Sequence, residues 1–304
     1  MELSIIIPTK DRGKIFDETI GNAMEAINHL DAEIIVINDS KQNTPNIPDH
    51  PKVRLFNNPK QGVASARNLG FKQSKGDIIL FIDDDILISR ISVDHILSMH
   101  REKKGICLNV NWEYPPELKK NLHSSQFGRF LLTHQMTSFK GWYGHESWRD
   151  NTIFASTSVA SFHLSLARSD FGKTAGYNEN FPFAGFEDYD FPLSLKRAGL
   201  LFFIDTRITV FHNEKDKLDQ SHWLFSQERR SITRRAAVTM GYTELALDYP
   251  AKKRILLVTL NKLFGALNFV MKVIPNHSKF DFLYFRLLSI QQAAKIFKGY
   301  STTT

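Results

Sequence analysis

Three consecutive aspartates, Asp83-Asp84-Asp85, follow the apolar run Ile78-Ile79-Leu80-Phe81-Ile82. A run of that kind reads as a buried parallel strand. Burial and like charge both raise carboxylate pKa values, so three carboxylates at the strand's end are costly until a cation neutralises them. A divalent metal meets that need, and a ligand phosphate gives the metal a purpose. The alternative is an acidic turn open to water. Arg67, in Gly62-Val63-Ala64-Ser65-Ala66-Arg67-Asn68-Leu69-Gly70, could also bind phosphate. Its guanidinium can clamp a phosphate and its small neighbours permit close approach, although a surface arginine on a helix would read the same way. The sequence has no GxxxxGK[ST] loop, and no GxGxxG follows the first apolar run. Phosphate binding would therefore rest on metal and cationic side chains.

The elements that position these residues follow from the pattern. Strands are predicted at 4–8, 33–38, 53–56 and 77–82, with helices at 14–30 and 62–74 between them. Strands separated by helices of that length imply parallel βαβ units, hence an α/β fold with a Rossmann-like, mostly parallel sheet. Ligands in open α/β sheets bind beyond the carboxyl ends of the strands. That rule marks residues 8–12, 38–40, 57–59 and 83–85 as facing one crevice. Further on, 91–104 reads as helix and 105–112 as strand. Residues 113–151 lose periodicity among prolines, histidines and aromatics, and 152–167 regains strand character. A helix is predicted at 187–198, strands at 200–205 and 208–211, and mostly helix after about 218.

Several segments, taken in order, resemble a family 2 glycosyltransferase with the GT-A fold. They are Ser4-Ile5-Ile6-Ile7-Pro8-Thr9, Ile35-Val36-Ile37-Asn38-Asp39-Ser40, Gly62 to Asn68, Asp77 to Asp85, Gly176-Tyr177-Asn178-Glu179, Glu187-Asp188-Tyr189-Asp190-Phe191 and Val210-Phe211-His212. The resemblance implies an inverting, nucleotide-sugar-dependent transfer. It places Pro8, Thr9, Asp11, Arg12, Asp39 and Arg67 at the donor, with Asp39 facing the base; Asn38 stands where the family often has a second aspartate. Asp83 and Asp85 form the DxD element, both at the metal, with Asp83 also near the ribose and sugar. Asp84 is grouped with the donor-binding residues but has no ligand role. His212 completes the metal or pyrophosphate site, and imidazole favours Mn²⁺ over Mg²⁺. Asp188 is the implied general base, with Glu187 as rival or support and the helix N-terminus as the structural alternative for either. Trp142 and Trp148 could stack on acceptor sugars or pack in the core.

The resemblance divides the chain into a catalytic domain, 1–218, and a helical tail, 219–304. The catalytic domain comprises a nucleotide-sugar half, 1–112, and an acceptor half, 113–218. The net charge of +7 belongs to the tail: residues 225–304 hold 13 Lys/Arg against 4 Asp/Glu, a surplus of 9, which leaves −2 for the rest. No zinc-finger spacing, RNA-recognition signature or basic zipper accompanies that charge, so nucleic acid is not the expected partner. Residues 255–274 form a long apolar stretch whose Asn261, Lys262, Asn268 and Lys272 would share one helical stripe. With Lys252-Lys253-Arg254 before it and residues 280–297 after it, the region suits a membrane surface. Packing on the catalytic domain and a homodimer contact are the alternatives for residues 252–300. The single cysteine, Cys107, excludes an internal disulfide, and the N-terminus reads as a first strand. The expectation is a cytoplasmic protein at the inner face of the membrane, moving one sugar from a UDP-sugar to a surface glycan or glycolipid. A nucleotidyltransferase and an inactive nucleotide-sugar-binding protein are the rival readings.

Overall fold

The computed structural model describes residues 1–144 and 147–302. Contacts group the chain into two units. The first comprises Met1–Pro115, Ser138–Glu179 and Glu187–Glu214; the second comprises Pro116–Thr137, Asn180–Phe186 and Lys215–Thr304. The second unit therefore draws two segments from within the stretch that the sequence assigned to one continuous domain.

The first unit holds a nine-stranded sheet: β1 (Leu3–Thr9), β2 (Ala32–Asn38), β3 (Val53–Asn57), β4 (Ile78–Ile82), β5 (Ile86–Leu87), β6 (Ile106–Glu113), β7 (Ile153–Ala155), β8 (His163–Ala167) and β9 (Leu201–His212). Their order is β3-β2-β1-β4-β8-β6-β9-β5, with β7 also on β9. Strands β1 to β4 pair in parallel, β8 runs against both β4 and β6, and β9 is parallel to β6. Six strands, β1, β2, β3, β4, β6 and β9, thus share one direction, and the sheet is mostly parallel as the alternating pattern predicts. All six end at the same edge, at Thr9, Asn38, Asn57, Ile82, Glu113 and His212. The mostly apolar composition of β1 and β2 matches strands covered on both faces, and every residue of both is buried, including Ser4 and Glu33, whose side chains pair at 2.8 Å.

Helix Val63–Gln73 lies against this sheet through small residues. Ala64, Ser65, Ala66 and Gly70 are buried, and a Cβ added to Gly70 would stand 2.3 Å from Ile6 Cγ2. That approach carries Arg67, on the same helix, into the interior. The core on this side joins Ile6, Ile37, Phe81, Leu164, Tyr177 and Phe191.

Three sequence expectations need correction. The strands expected at 200–205 and 208–211 are one strand, β9, whose register against β6 shifts between Val110 and Asn111; the irregular pairing absorbs what looked like a break. The stretch read as aperiodic contains short helices at Pro116–Leu122, Gln126–Thr133 and Phe139–Tyr143. Segments so short carry too few turns to display a period. The stretch 255–274 is not one helix either. Ala251–Lys262 and Phe264–Val273 meet at a 64° bend, so no single stripe runs through both. Asn261 does not point outward: its amide donates to the carbonyls of Leu257 and Ala294, the first a side-chain bond that competes with helix continuation. Among the described residues, no single helix is long and apolar enough to cross a membrane.

The second unit is helical. Gln220–Thr239 lies along Asp281–Ser301 at close range, since a Cβ on Gly299 would meet the Glu228 carbonyl oxygen at 2.2 Å. The Ser231 hydroxyl donates to the Ile296 carbonyl across the same contact, and Arg129 forks onto Asp281 with both nitrogens at 2.7 Å.

Candidate active site

The site lies in the first unit, at the edge where the parallel strands end. The loop after β1 turns through Asp11 in the left-handed region, φ 56°, a conformation aspartate tolerates better than most residues. Asn43 donates to the Asp11 carboxylate at 2.7 Å, and this bond, followed by one from Ser40, holds Asp11 below the usual carboxylate range. The turn brings Arg12 back over the aspartate triplet. Its Nε lies 3.2 Å from Asp84 Oδ1, and a terminal nitrogen donates to Asp85 Oδ2 at 2.6 Å. Thr9 donates to Asp84 Oδ2 at 2.8 Å, and Thr19 donates to the Asp84 carbonyl. Asp84 therefore has a structural task that the sequence did not reveal: it ties the β1 loop to the end of β4.

Asp83 turns the other way. It accepts a hydrogen bond from Arg67 at 2.8 Å. Arg67 is neither a surface arginine nor, in this state, an open phosphate clamp. Its side chain is 3% exposed and also reaches Glu187 at 3.3 Å and Asp188 at 3.7 Å, beside the ring of Tyr177. Burial would lower the guanidinium pKa, but Asp83, Asp188, Tyr177 and Glu187 outweigh it and hold the group charged. Protein cations thus offset part of the triplet's charge, with Arg67 on Asp83 and Arg12 shared between Asp84 and Asp85. The loop and helix arginines, far apart in sequence, share the neutralising role that the sequence assigned to a metal.

Asp85 also faces β9. His212 Nε2 stands 3.2 Å from Asp85 Oδ1 and 3.6 Å from Glu214 Oε1. Potential ligand atoms of Asp85, His212 and Glu214 all lie within 4.8 Å of one another. Burial alone would lower the His212 pKa, but Glu214 and Asp85 raise it to about 9. The two carboxylates thus favour positive charge at this position. Two carboxylates and one imidazole suit a divalent ion that accepts hard oxygen ligands and tolerates nitrogen. Asp83, expected at the metal, is held by Arg67 and is not in this cluster. Glu214, which sequence reasoning missed, is. The available signal was its place two residues after His212, a spacing that returns side chains to one side of an extended chain. Tyr114, also missed, donates to Glu214 at 2.5 Å and extends the aromatic wall of Trp112 around His212.

Asp39 follows β2 directly and accepts from Asn58 at 2.6 Å and from the Gly62 amide at 2.8 Å, with Lys10 at 3.9 Å. Asn38 binds the Asn43 carbonyl and Asn57 and accepts from the Ser40 amide, so it braces the loop beside Asp39. Pro8 is buried in β1, in register with Ile37. Of the two carboxylates that open helix Glu187–Arg197, Glu187 is buried at 2% exposure. The Asp188 side chain is 35% exposed and accepts from the Ser161 amide at 3.3 Å. Trp148 is buried among Phe139, Tyr143 and Phe154, with its ring N–H donating to Asp150, so its surface is taken up by packing. Trp142 is half exposed and stands edge-on to Trp112, 5.2 Å away, which in turn faces His212 at 5.0 Å.

A family model described as glycosyl transferase family 2 matches residues 4–170, more than half the chain. The chain belongs to glycosyl transferase family 2. Among curated proteins, this family 2 chain is 31% identical over 138 residues to an uncharacterized glycosyltransferase of Rickettsia bellii, covering 42% of this chain and 19% of the relative. It is 33% identical over 92 residues to a GalNAc(5)-diNAcBac-PP-undecaprenol beta-1,3-glucosyltransferase of Campylobacter jejuni, covering 28% of this chain and 29% of that protein. The chain spans about a fifth of the length of the Rickettsia relatives it matches. Among solved structures, GalNAc-T7 with UDP, GalNAc and Mn²⁺ superposes with a TM-score of 0.51 at 13% identity, over 69% of this chain and 43% of that one. At that identity the likeness speaks for the fold, which is that of the GT-A glycosyltransferases.

Proposed function

We propose that this chain is an inverting glycosyltransferase that moves one sugar from a nucleotide-diphosphate sugar to an acceptor hydroxyl. The observation that carries the reading is the arrangement around the triplet. Asp85, His212 and Glu214 form one cluster, while Asp83 is joined through Arg67 to the more exposed carboxylate of Asp188. One end of the triplet serves the leaving group and the other leads to the base.

In this reading Asp188 accepts the proton of the acceptor hydroxyl as its oxygen bonds to the anomeric carbon and the bond to the diphosphate breaks on the opposite face. Its exposure lets a hydroxyl reach it. Glu187, buried on Arg67, acts as support and not as base. Arg67 holds Asp83 and Asp188 in fixed relation, so sugar and base meet in one geometry. A divalent ion held by Asp85, His212 and Glu214 would stabilise the charge developing on the departing diphosphate. Mn²⁺ is the preferred ion because of the imidazole. Asp39, Asp11, Pro8 and Thr9 would line the nucleotide site, with Lys10 and Arg12 beside the phosphates.

A UDP-sugar is the proposed donor, supported by the UDP bound in the GT-A neighbour. A glycan on a lipid carrier is the proposed acceptor, supported by the undecaprenol-linked acceptor named for the Campylobacter relative. Trp142 offers an exposed ring for an acceptor sugar.

The test is hydrolysis of a panel of nucleotide sugars with Mn²⁺ or Mg²⁺, repeated with two variants. Asp188→Asn should lose transfer and keep nucleotide affinity; Asp85→Asn should lose metal-dependent nucleotide binding itself. Wild-type turnover in Asp188→Asn would remove the base assignment.

A further inference from the structure

The structure leaves much of the second unit's C-terminal surface apolar and uncovered. Among the described residues nineteen large hydrophobic side chains are exposed, and ten of them fall within residues 255–283: Ile255, Leu256, Val258, Leu263, Phe269, Val270, Val273, Phe280, Phe282 and Leu283. Such crowding in about a tenth of the chain is not the scattered exposure normal for a soluble surface. On helix Phe264–Val273, Ala266, Phe269, Val270 and Val273 follow the i, i+3, i+4, i+7 spacing of one face, with Phe269 67% and Val273 61% exposed.

The charge around this face has one sign. Residues 250–302 hold nine Lys/Arg and one acid, Asp281, which is taken by Arg129. Lys295 and Lys298 pair with Glu228, whereas among the described residues Lys252, Lys253, Arg254, Lys262, Lys272, Lys279 and Arg286 have no ion-pair partner. Lys252, Lys253 and Arg254 also occupy the first turn of helix Ala251–Lys262, which contains no acid. The helix dipole is positive there, so the placement is unfavourable for the isolated fold and becomes favourable beside an external anion. An open cleft of about 520 Å³ among these helices is lined in part by Lys262, Lys295 and Lys298.

We infer that this face docks on an anionic lipid bilayer, with Phe269, Val273 and Phe282 entering the headgroup boundary and the Lys252-Lys253-Arg254 turn meeting lipid phosphates. Apolar side chains and an unmatched positive rim together match the chemistry of that surface, whereas a second copy would bring the same positive rim against itself. The inference does not depend on the catalytic reading.

Flotation of the full chain with vesicles tests it. Binding is expected to vesicles of phosphatidylcholine with a quarter phosphatidylglycerol, not to phosphatidylcholine alone, and should be released by high salt. Phe269→Glu/Phe282→Glu, at exposed positions, should abolish flotation while thermal unfolding and nucleotide-sugar hydrolysis stay unchanged. Replacing Lys252, Lys253 and Arg254 by Gln should weaken partitioning on the order of a hundredfold. Failure to float with anionic vesicles overturns the inference. So does a dimer in sedimentation velocity that Phe269→Glu/Phe282→Glu dissociates, because the face would then belong to a second copy.

Discussion

Replacing Arg67 by methionine, which keeps much of the side chain's volume and removes its charge, separates the roles of this residue. Arg67 serves three carboxylates in unequal surroundings. The Glu187 side chain is 3% exposed, so its contact with the guanidinium is a buried ion pair, and removing one partner of such a pair costs about 3–5 kcal/mol. The side chains of Asp83 and Asp188 are 36% and 35% exposed, and water screens them to about 1 kcal/mol together at most. The buried contact therefore dominates, and the variant should lose about 3–5 kcal/mol in chemical unfolding. At roughly 2 °C per kcal/mol for a chain of this size, the melting temperature should fall roughly 6–10 °C. Turnover should fall about a hundredfold or more, because Asp83 and Asp188 lose their common tether. Arg67→Met/Glu187→Gln should regain most of the stability, since the buried charge is gone, but not the turnover. A single variant within 1 kcal/mol of wild type, or a double variant no more stable than the single, would refute the assignment of Arg67 as the buried counter-charge.

Glu214→Gln should weaken Mn²⁺ binding about tenfold or more, measured as quenching of tryptophan fluorescence, since Trp112 lies 5.0 Å from His212. A chelator should stop turnover yet move the melting temperature by no more than about 1 °C, because Arg12 and Arg67 already offset much of the triplet's charge. Burial lowers both His100 and His163 to about 4. Each imidazole is then neutral in the fold and gains its proton only on unfolding between pH 6.5 and 4. The contribution of these two histidines to stability should thus be full above pH 6.5 and fall by a few kcal/mol as pH drops through that window, read by urea unfolding at stepped pH. Gly70→Ala should cost about 1–3 kcal/mol, because its Cβ would overlap Ile6, and should lower turnover by shifting the helix that carries Arg67; a melting curve and a donor-hydrolysis assay check both.

The first 90 residues were legible because the four main strands are mostly apolar and the first helix buries a periodic face. Strands β1 to β4 and the two intervening helices fall within three residues of their predicted ends. What the sequence hid depends on contacts between distant segments. Arg12 and Asp85 are 73 positions apart, and nothing local marks them as partners. Strand β5 has two residues and exists only because β9 pairs with it. Glu214 lies beyond the last matching motif, so only the arrival of His212 beside Asp85 makes it a candidate. Trp142 and Trp148 lie six positions apart in the same aromatic-rich stretch, yet one is half exposed and the other buried. Asn261 looked like part of a polar stripe and instead caps a neighbouring helix's carbonyl.

Strand β9 has a further consequence for a chain synthesised from its N-terminus. The pieces that hold Asp84 and Asp85 against Arg12 are all present once β4 and its turn have been made. The cluster of Asp85, His212 and Glu214 must wait for more than a hundred further residues, until β9 settles against β6 and β5. Contacts of such separation form late and slowly. The acidic triplet is therefore chaperoned by Arg12 from early in the chain's life, while the cluster can assemble only on a sheet that is already complete. Loading of an ion at that cluster would then report the finished fold: a chain ending before Leu201 could keep its aspartates in place and still lack two of the three side chains that would hold the ion.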